Sequence, residues 1–433
     1  MHRCDGTIVA LSSGPPPCGV AVVRASGPDA MSLAQAFGIG ALEPRRAVLR
    51  AVRSPVDGTL LDRALVIRFA APASATGEDV LEIHLHGGPA LVERVLSDAM
   101  TVAGVRAAEP GEFTLRAVLN GRIDLPGAEA LADLIEARSE AEMRRAARLA
   151  DGALARRIAD WRSRLLRALA LAEAHLDFAD EGDVAGGGDD VDAQIVPLRD
   201  EIAAVLTASV GAEKLSDGFG VALVGPPNAG KSSLLNALAG RDAAIVSPEA
   251  GTTRDVVAVE IELGGYRVTV SDTAGLREDA AGIEALGVAR AEALMRNADL
   301  VVEVRSPDTV PVAPPRAGLV VMHKADLLET APLSADVATS IHDPSSVAHL
   351  RGLLAEHARA GMTSAESALV TRARQRSALT GVVSGLDEAA AAGPLELKAE
   401  GLRLAADAMG RMTGEIGIED VLDDVFKRFC IGK

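Results

Sequence analysis

The sequence predicts a multidomain chain of α/β plus α class. An N-terminal α+β domain spans 1–120, a P-loop α/β domain spans 214–366, and a helical bundle is split around the latter into 121–213 and 367–433. Three observations predict this. Short β-branched runs are interspersed with helical stretches up to about residue 120. Long amphipathic stretches then take over. A glycine-rich phosphate-loop spacing finally opens a region of alternating strands and helices, the βαβ signature of a parallel sheet.

In chain order, "TIVAL", "GVAVVRAS", "RALVIRFA" and "VLEIHLHGG" read as strands, bounded by Gly, Pro or Asp. Pro89 stands where a first helical turn begins, followed by "ALVERVLSDAM" with apolar positions three and four apart. From "AEALADLIEARSEAEMRRAARLADGALARRIADWRSRLLRALALAEAHLDF" onward the pattern is long helix, with "GDVAGGGDD" (182–190) as a break. The tail is helical again, so two halves packed as one bundle are expected. No period of 20–50 residues recurs, which argues against a repeat solenoid.

Composition narrows the class. Apolar residues make up 48% of the 433 positions but aromatics only 2%, so the cores are built from Ala, Leu and Val. A formal charge of −17 argues against non-specific coating of nucleic acid, which needs a net basic surface. The three cysteines, Cys4, Cys18 and Cys430, are too scattered for a disulfide framework or a Cys-rich zinc site. No apolar run has the length of a signal core or a bilayer span. The expectation is a cytoplasmic protein with no membrane association.

The chemistry sits in "GFGVALVGPPNAGKSSLLNALAG". A strand (Val221–Val224) runs through Gly225-x-x-x-x-Gly230-Lys231-Ser232 into a helix. The glycines let backbone N–H groups wrap phosphates, Lys231 can reach the β- and γ-phosphates, and Ser232 can ligate Mg²⁺. Asn228, Ala229 and Ser233 complete the loop, and the helix N-terminus adds its dipole. Downstream, "SPEAGTTRD" offers Thr252 and Thr253 in a loop, where a threonine can close the Mg²⁺ shell when a γ-phosphate is present. "YRVTVSDTAGLRE" ends a strand in Asp272-Thr273-Ala274-Gly275, with Asp272 disposed toward Mg²⁺ and the Gly275 N–H toward the γ-phosphate. Each piece alone is common turn chemistry. In this order they describe a nucleotide switch.

His323-Lys324-Ala325-Asp326 selects the base. A carboxylate at Asp326 accepts from the N1–H and 2-amino group of guanine, whereas adenine would leave it unsatisfied. The stem of Lys324 can cover the base plane. His323 stands where an asparagine is usual; it can supply an N–H but not both amide functions, at a cost of about 0.5–1.5 kcal/mol. A guanine pocket of somewhat reduced affinity is expected, with Ser340 as a loose match for the contact to O6. Leu276, directly after Gly275, cannot orient water, so hydrolysis needs another group. On the residues alone Glu284 is either that group or an ordinary solvated glutamate near a helix start.

With these residues assembled, the chain resembles the MnmE (TrmE) family of tRNA-modifying GTPases. The resemblance rests on "DGTIVA", "GVAVVRASGP", "TGEDVLEIHLHGGP", "EPGEFTLRAVLNGRIDLPGAEALADLI", the nucleotide module and the terminal "GIEDVLDDVFKRFCIGK", and it covers nearly the whole chain. It implies an N-terminal folate-binding-like domain that dimerises and takes a tetrahydrofolate derivative. A Ras-like GTPase domain is implied inside a discontinuous helical domain. It further implies K⁺ held by Asn228 and the loop carrying Ser247, Glu249 and Thr252, with Glu284 as the water-positioning acid. Lys231 and Gly275 join Glu284 in the catalytic set. Arg24, Glu82, Arg122 and Lys433 match folate-contacting positions, and Cys430 matches a terminal cysteine. Departures are His323, Ala75 where an aromatic is frequent, and "SSGPPPCG" in place of a more glycine-rich stretch.

The function this resemblance implies is GTP hydrolysis coupled to adding a carboxymethylaminomethyl-type group to C5 of the wobble uridine of tRNAs. The one-carbon donor would be a folate. A flavin-dependent partner of MnmG type would join a homodimer to form a heterotetramer. The chain shows no Gly-x-Gly-x-x-Gly fingerprint, in keeping with a flavin carried by the partner. A rival reading is a regulatory or ribosome-assembly GTPase that binds RNA without modifying it. The "PGEFT" region and the "FCIGK" tail argue for the former. The arginines on helix faces (Arg144, Arg145, Arg148, Arg156, Arg157, Arg372, Arg374, Arg376) are either phosphate contacts or solvated, acid-paired faces.

Overall fold

The structure, a computed structural model, describes residues 5–177, 187–240, 257–272, 293–309, 318–328, 335–413 and 432. The chain divides into two compact units. One comprises Met1–Ala132, Leu149–Leu198 and Gly381–Lys433, the other Asp133–Arg148 and Arg199–Thr380.

The first unit opens with β1 (Thr7–Leu11), β2 (Cys18–Ser26), α1 (Ala30–Ala36), β3 (Val48–Arg53), β4 (Leu60–Phe69), β5 (Val80–Gly87), α2 (Pro89–Ala99), β6 (Val105–Ala107) and α3 (Glu112–Leu119). The strands read from β-branched runs are all present. They form one sheet in the order β3-β4-β5-β2-β1-β6, antiparallel except for β1 against β6. Val9, Val23, Val66, Ile83, Leu33, Phe37 and Val95 close the core beneath it. Pro89 occupies the first turn of α2, where its missing N–H costs nothing.

Long helices follow: α4 (Leu125–Glu136), α5 (Glu140–Ala150), α6 (Ala153–Asp177) and α7 (Gly187–Ala208). Gly152, at φ +85°, separates α5 from α6. The break read over 182–190 is shorter on its C-terminal side, because α7 already begins at Gly187. Asp189 and Asp190 lie in its first turn, where carboxylates complement the helix dipole.

Among the described residues of the tail are two helices, α11 (Ala373–Ala391) and α12 (Leu395–Thr413). They meet backbone to backbone. A Cβ at Gly385 would lie 2.7 Å from the Ala405 nitrogen, and one at Gly401 would lie 2.7 Å from that of Ala389. Lys398 reaches Asp192 on α7 at 2.6 Å, and Arg403 reaches Glu173 on α6 at 3.3 Å. Within this unit the tail helices therefore pack on the helices before the inserted α/β region.

The second unit holds α8 (Lys214–Asp217), β7 (Phe219–Val224), α9 (Lys231–Ala239), β8 (Val257–Leu263), β9 (Tyr266–Asp272), β10 (Leu300–Arg305), β11 (Leu319–His323), β12 (Val337–Thr339) and α10 (Pro344–Ser367). Its sheet runs β12-β11-β10-β7-β9-β8, parallel apart from the β8–β9 hairpin. Buried on both faces, β7 and β10 read as near-continuous apolar runs. The hairpin docks on α5: the Ala141 N–H donates to the Gly265 carbonyl at 2.9 Å. Beside it, the Tyr266 hydroxyl donates to Glu366 at 2.6 Å, and Arg144 reaches the same carboxylate at 2.9 Å. No helix among the described residues is long and apolar enough to cross a membrane.

The glycine contact gives a direct check. Gly385→Leu forces α11 and α12 apart and is expected to destabilise the first unit by about 1–3 kcal/mol. A lowered midpoint in thermal or urea unfolding measures it, and an unchanged midpoint would refute the close-packed pair.

Candidate nucleotide site

The parallel strands β7, β10 and β11 end at one edge of the second unit's sheet, and the loops that follow them build the site. Ligands in open α/β sheets bind outside the carboxyl ends of strands. After β7 the chain turns through Gly225 (φ +150°), Asn228 (φ +64°) and Gly230 (φ +91°) into α9. A Cβ on Gly225 would lie 2.2 Å from the Val304 carbonyl oxygen, so that position admits only glycine. Ala229 is fully buried, while Asn228, Ser232 and Ser233 are exposed on the open side.

Lys231 is buried, and its amine donates to the carbonyls of Gly225 at 3.0 Å and Pro226 at 2.9 Å. The charge is thus held within the loop expected to wrap phosphates. The Ser232 hydroxyl donates to Asp272 Oδ2 at 2.6 Å. Both are among the residues read as Mg²⁺ partners, one from the start of α9 and one from the end of β9. A hydroxyl and a carboxylate are hard oxygen donors of the kind Mg²⁺ takes beside phosphate oxygens and water.

The segment expected to read the base follows β11. His323 is 1% exposed, and its Nδ1 lies 3.0 Å from the hydroxyl of Thr339, its register partner on β12. Burial pushes the imidazole below its ordinary range, and the neighbouring Lys324 adds to that, so the ring is neutral at pH 7. Lys324 has the left-handed φ of +56°, and its amine is held by Asp308 at 2.9 Å. Asp308 also accepts from the Ser306 hydroxyl, and these two bonds hold its carboxyl down at about 2. Ala325 and Asp326 form a single 3₁₀ turn with Leu327. Asp326 is exposed, and its Oδ1 accepts from the Ser340 hydroxyl at 2.5 Å, which holds the carboxyl below the usual carboxylate range. The structure therefore brings Asp326 and Ser340 together.

Sequence reasoning missed Thr339, Asp308 and Ser306. Their adjacency arises from pairing of parallel strands and from a loop crossing, which local pattern does not encode. Thr273, Ala274, Gly275 and Glu284, and Ser247, Glu249, Thr252 and Thr253, lie outside the described residues.

The first unit carries the other predicted cluster. Arg24 and Glu82 are cross-strand partners on β2 and β5, with the guanidinium nitrogens 2.9 and 3.0 Å from Glu82 Oε1. His84 Nε2 lies 3.1 Å from the other oxygen, and the Arg24 guanidinium lies 5.8 Å from the centre of the Phe113 ring. Arg122 is exposed, with its stem over Gly77; no hydrogen bond or ion pair joins it to the Arg24–Glu82 pair among the described residues. Lys433 is outside them, but Gly432 accepts from the Ser12 hydroxyl at 2.7 Å, which brings that point of the tail to the end of β1. Arg116, 1% exposed, was not foreseen: it pairs with Glu112 and with Glu78 at 3.0 Å each, and Glu78 accepts from Ser26. The buried guanidinium ties the "TGED" loop to α3.

Two family models match the chain: the GTP-binding protein TrmE N-terminus over 7–122 and the MnmE helical domain over 125–430. The chain is 49% identical over 445 residues to a tRNA modification GTPase MnmE of Methylobacterium radiotolerans, covering all of both proteins. It is 48% identical over 441 residues to that of Azorhizobium caulinodans, again across both full lengths. Among solved structures it is similar to the G domain of the T. maritima FeoB iron transporter, at 25% identity over 32% of this chain and 98% of that one, with a TM-score of 0.25.

Gly230 tests the loop. Gly230→Ala would place a methyl 2.4 Å from His323 Cδ2 and hold alanine at φ +91°. The backbone conformation alone costs about 1–2 kcal/mol. Loss of nucleotide binding, read by calorimetry, is expected with the fold retained by circular dichroism; unchanged affinity would contradict this loop geometry.

Proposed function

The chain belongs to the MnmE family of tRNA modification GTPases, and on that premise we propose that it hydrolyses GTP in modifying the wobble uridine of tRNAs. The observation that carries the reading is one sheet edge. It presents Lys231 in a glycine-framed loop, the Ser232–Asp272 oxygen pair, and Asp326 steadied by Ser340.

Each residue has a task in that reaction. Lys231 leaves the Gly225 and Pro226 carbonyls to set its charge against the β- and γ-phosphates. Ser232 and Thr253 would hold Mg²⁺, with Asp272 reaching it through water, and the ion would supply charge neutralisation at the phosphate oxygens. Asp326 takes the N1–H and 2-amino donors of guanine, while Lys324, anchored by Asp308, lays its stem along the base. Water attacks the γ-phosphorus and the bond to the β-phosphate bridging oxygen breaks, leaving GDP and phosphate. Glu284 orients that water. Asn228, Ser247, Glu249 and Thr252 would hold a K⁺ ion, which would supply positive charge beside the phosphates. Gly275 senses the γ-phosphate.

The finer reading extends to the other domains, taken as 1–120, 121–213 with 367–433, and 214–366. The N-terminal domain binds a tetrahydrofolate derivative through Arg24, Glu82, Arg122 and Lys433, the guanidinium groups suiting a glutamate tail. Homodimerisation is supported by the outer sheet face, where the cross-strand partners Leu49 and Leu65 are 59% and 48% exposed. A flavin-dependent partner of MnmG type and tRNA complete the cytoplasmic assembly.

The test compares GDP with ADP by calorimetry and GTP turnover in K⁺ with that in Na⁺. GDP selectivity that Asp326→Asn reduces by about ten- to a hundredfold, the worth of hydrogen bonds to a charged group, is expected with K⁺-dependent turnover. Equal GDP and ADP affinity would overturn the nucleotide assignment. Cation-indifferent turnover would overturn the K⁺ role, and an unchanged wobble-uridine profile in a deletion strain would overturn the tRNA role.

A further inference from the structure

We propose that a cavity of the second unit, near the amino end of β9, is an anion site that takes a compact phosphate-bearing molecule on Arg138, Arg145 and Arg267. The cavity measures about 720 Å³, a volume in the range of small-molecule sites. Its walls come from the last turn of α4, the start of α5, α8 and β9, and all of its lining residues belong to the second unit. Arg267 is the second residue of β9 and Asp272 its last, so about 16 Å of strand separates the cavity from the nucleotide site.

The cavity is marked by guanidinium charge that no carboxylate meets with a hydrogen bond. Arg145 is 4% exposed, and its donors go to neutral acceptors. These are the carbonyls of Ala212 at 2.7 Å and Ala365 at 3.4 Å, and the Ser216 hydroxyl at 3.1 Å. Its Nε has no partner, and among the described residues no ion pair joins it to a carboxylate. Burial pushes this guanidinium below its ordinary range, with Asp133 and Glu142 acting against the shift. Arginine nevertheless keeps its proton, so the buried charge persists. Arg267 lies 3.4 Å from Glu142 and 4.0 Å from Glu260, and its Nε hydrogen-bonds to neither. Arg138 stands at the exposed rim, 3.9 Å from Glu260.

The acids of the wall are engaged elsewhere. Glu142 Oε2 accepts from the Arg138 backbone N–H at 2.7 Å, and Asp133 accepts from Arg372. Glu136 is exposed at the rim. A bound anion would give three loosely met guanidinium groups the charge-assisted hydrogen bonds they lack. The lining also limits what that anion is. Among the described residues, Ile135 and Ala137 are its apolar members and none is aromatic, so a base ring has no platform to stack on. The three arginines come from three places, the loop before α5, α5 itself and the hairpin strand β9. The terminal oxygens of a phosphate can meet all three, whereas a carboxylate has only two oxygens to offer.

The experiment is calorimetric titration of inorganic phosphate, with succinate as the carboxylate control, into the full-length protein in excess GDP and Mg²⁺. Wild type, Arg138→Gln, Arg267→Gln and Lys231→Ala are compared, with folding followed by circular dichroism. The wild type is expected to bind phosphate saturably, and succinate about threefold more weakly or worse. Arg267→Gln is expected to lose about ten- to a hundredfold in affinity, the worth of hydrogen bonds to a charged group. Arg138→Gln, at an exposed position, is expected to lose about threefold or more, and it decides the matter alone if Arg267→Gln does not fold. Lys231→Ala is expected to keep the wild-type affinity. Non-saturable heat indifferent to both arginine substitutions, an adventitious ion only, overturns the proposal. A loss confined to Lys231→Ala overturns it too, by placing the phosphate in the nucleotide loop. Succinate binding as tight as phosphate overturns the phosphate class.

Discussion

The nucleotide site depends on a steric constraint: the phosphate loop has no room for side chains at either end. Gly225 lies against the Val304 carbonyl of β10, and Gly230 lies against the ring of His323 at the end of β11. The loop is thereby fixed between the two strands that neighbour each other in the sheet. Everything functional in the second unit is referred to that frame. Lys231 has its amine satisfied by loop carbonyls, and Ser232, at the start of α9, meets Asp272. Preorganisation of this kind lets binding energy go to charge stabilisation rather than to ordering a loop.

A second consequence concerns how the base segment is built. In "HKAD" each polar residue already has a partner before any ligand arrives: His323 with Thr339, Lys324 with Asp308, Asp326 with Ser340. Two of those partners come from β12 and the loop after it. On the proposed reading, binding of the base would be tied to the position of the sheet's edge strand. The third, Asp308, follows β10, so three consecutive segments of the sheet edge converge on one short turn.

Much of this was legible in the sequence, and the reasons for the exceptions are physical. The phosphate loop could be read because its glycines and lysine act at fixed local spacing. Asp326 could be read because a carboxylate has a single complementary edge among the purines. The first-domain strands followed from β-branched runs between Gly, Pro and Asp. Thr339 and Asp308 could not be read, since their contacts depend on strand register and on loops meeting in space. The Arg116–Glu112–Glu78 network was equally hidden, as its members are separated by up to 38 residues and look like surface charges in sequence. The docking of the β8–β9 hairpin on α5 through Ala141 and Gly265 is a backbone contact, for which side-chain pattern carries no signal.

The central claim is that one guanine nucleotide engages the glycine-framed loop and the "HKAD" turn together. Amide hydrogen exchange of the full-length protein, with and without GDP and Mg²⁺, tests it most directly. The account expects joint protection of 226–233 and 323–327 on adding GDP, and none on adding ADP at the same concentration. Protection of the phosphate loop by both nucleotides, with 323–327 unchanged, would contradict it.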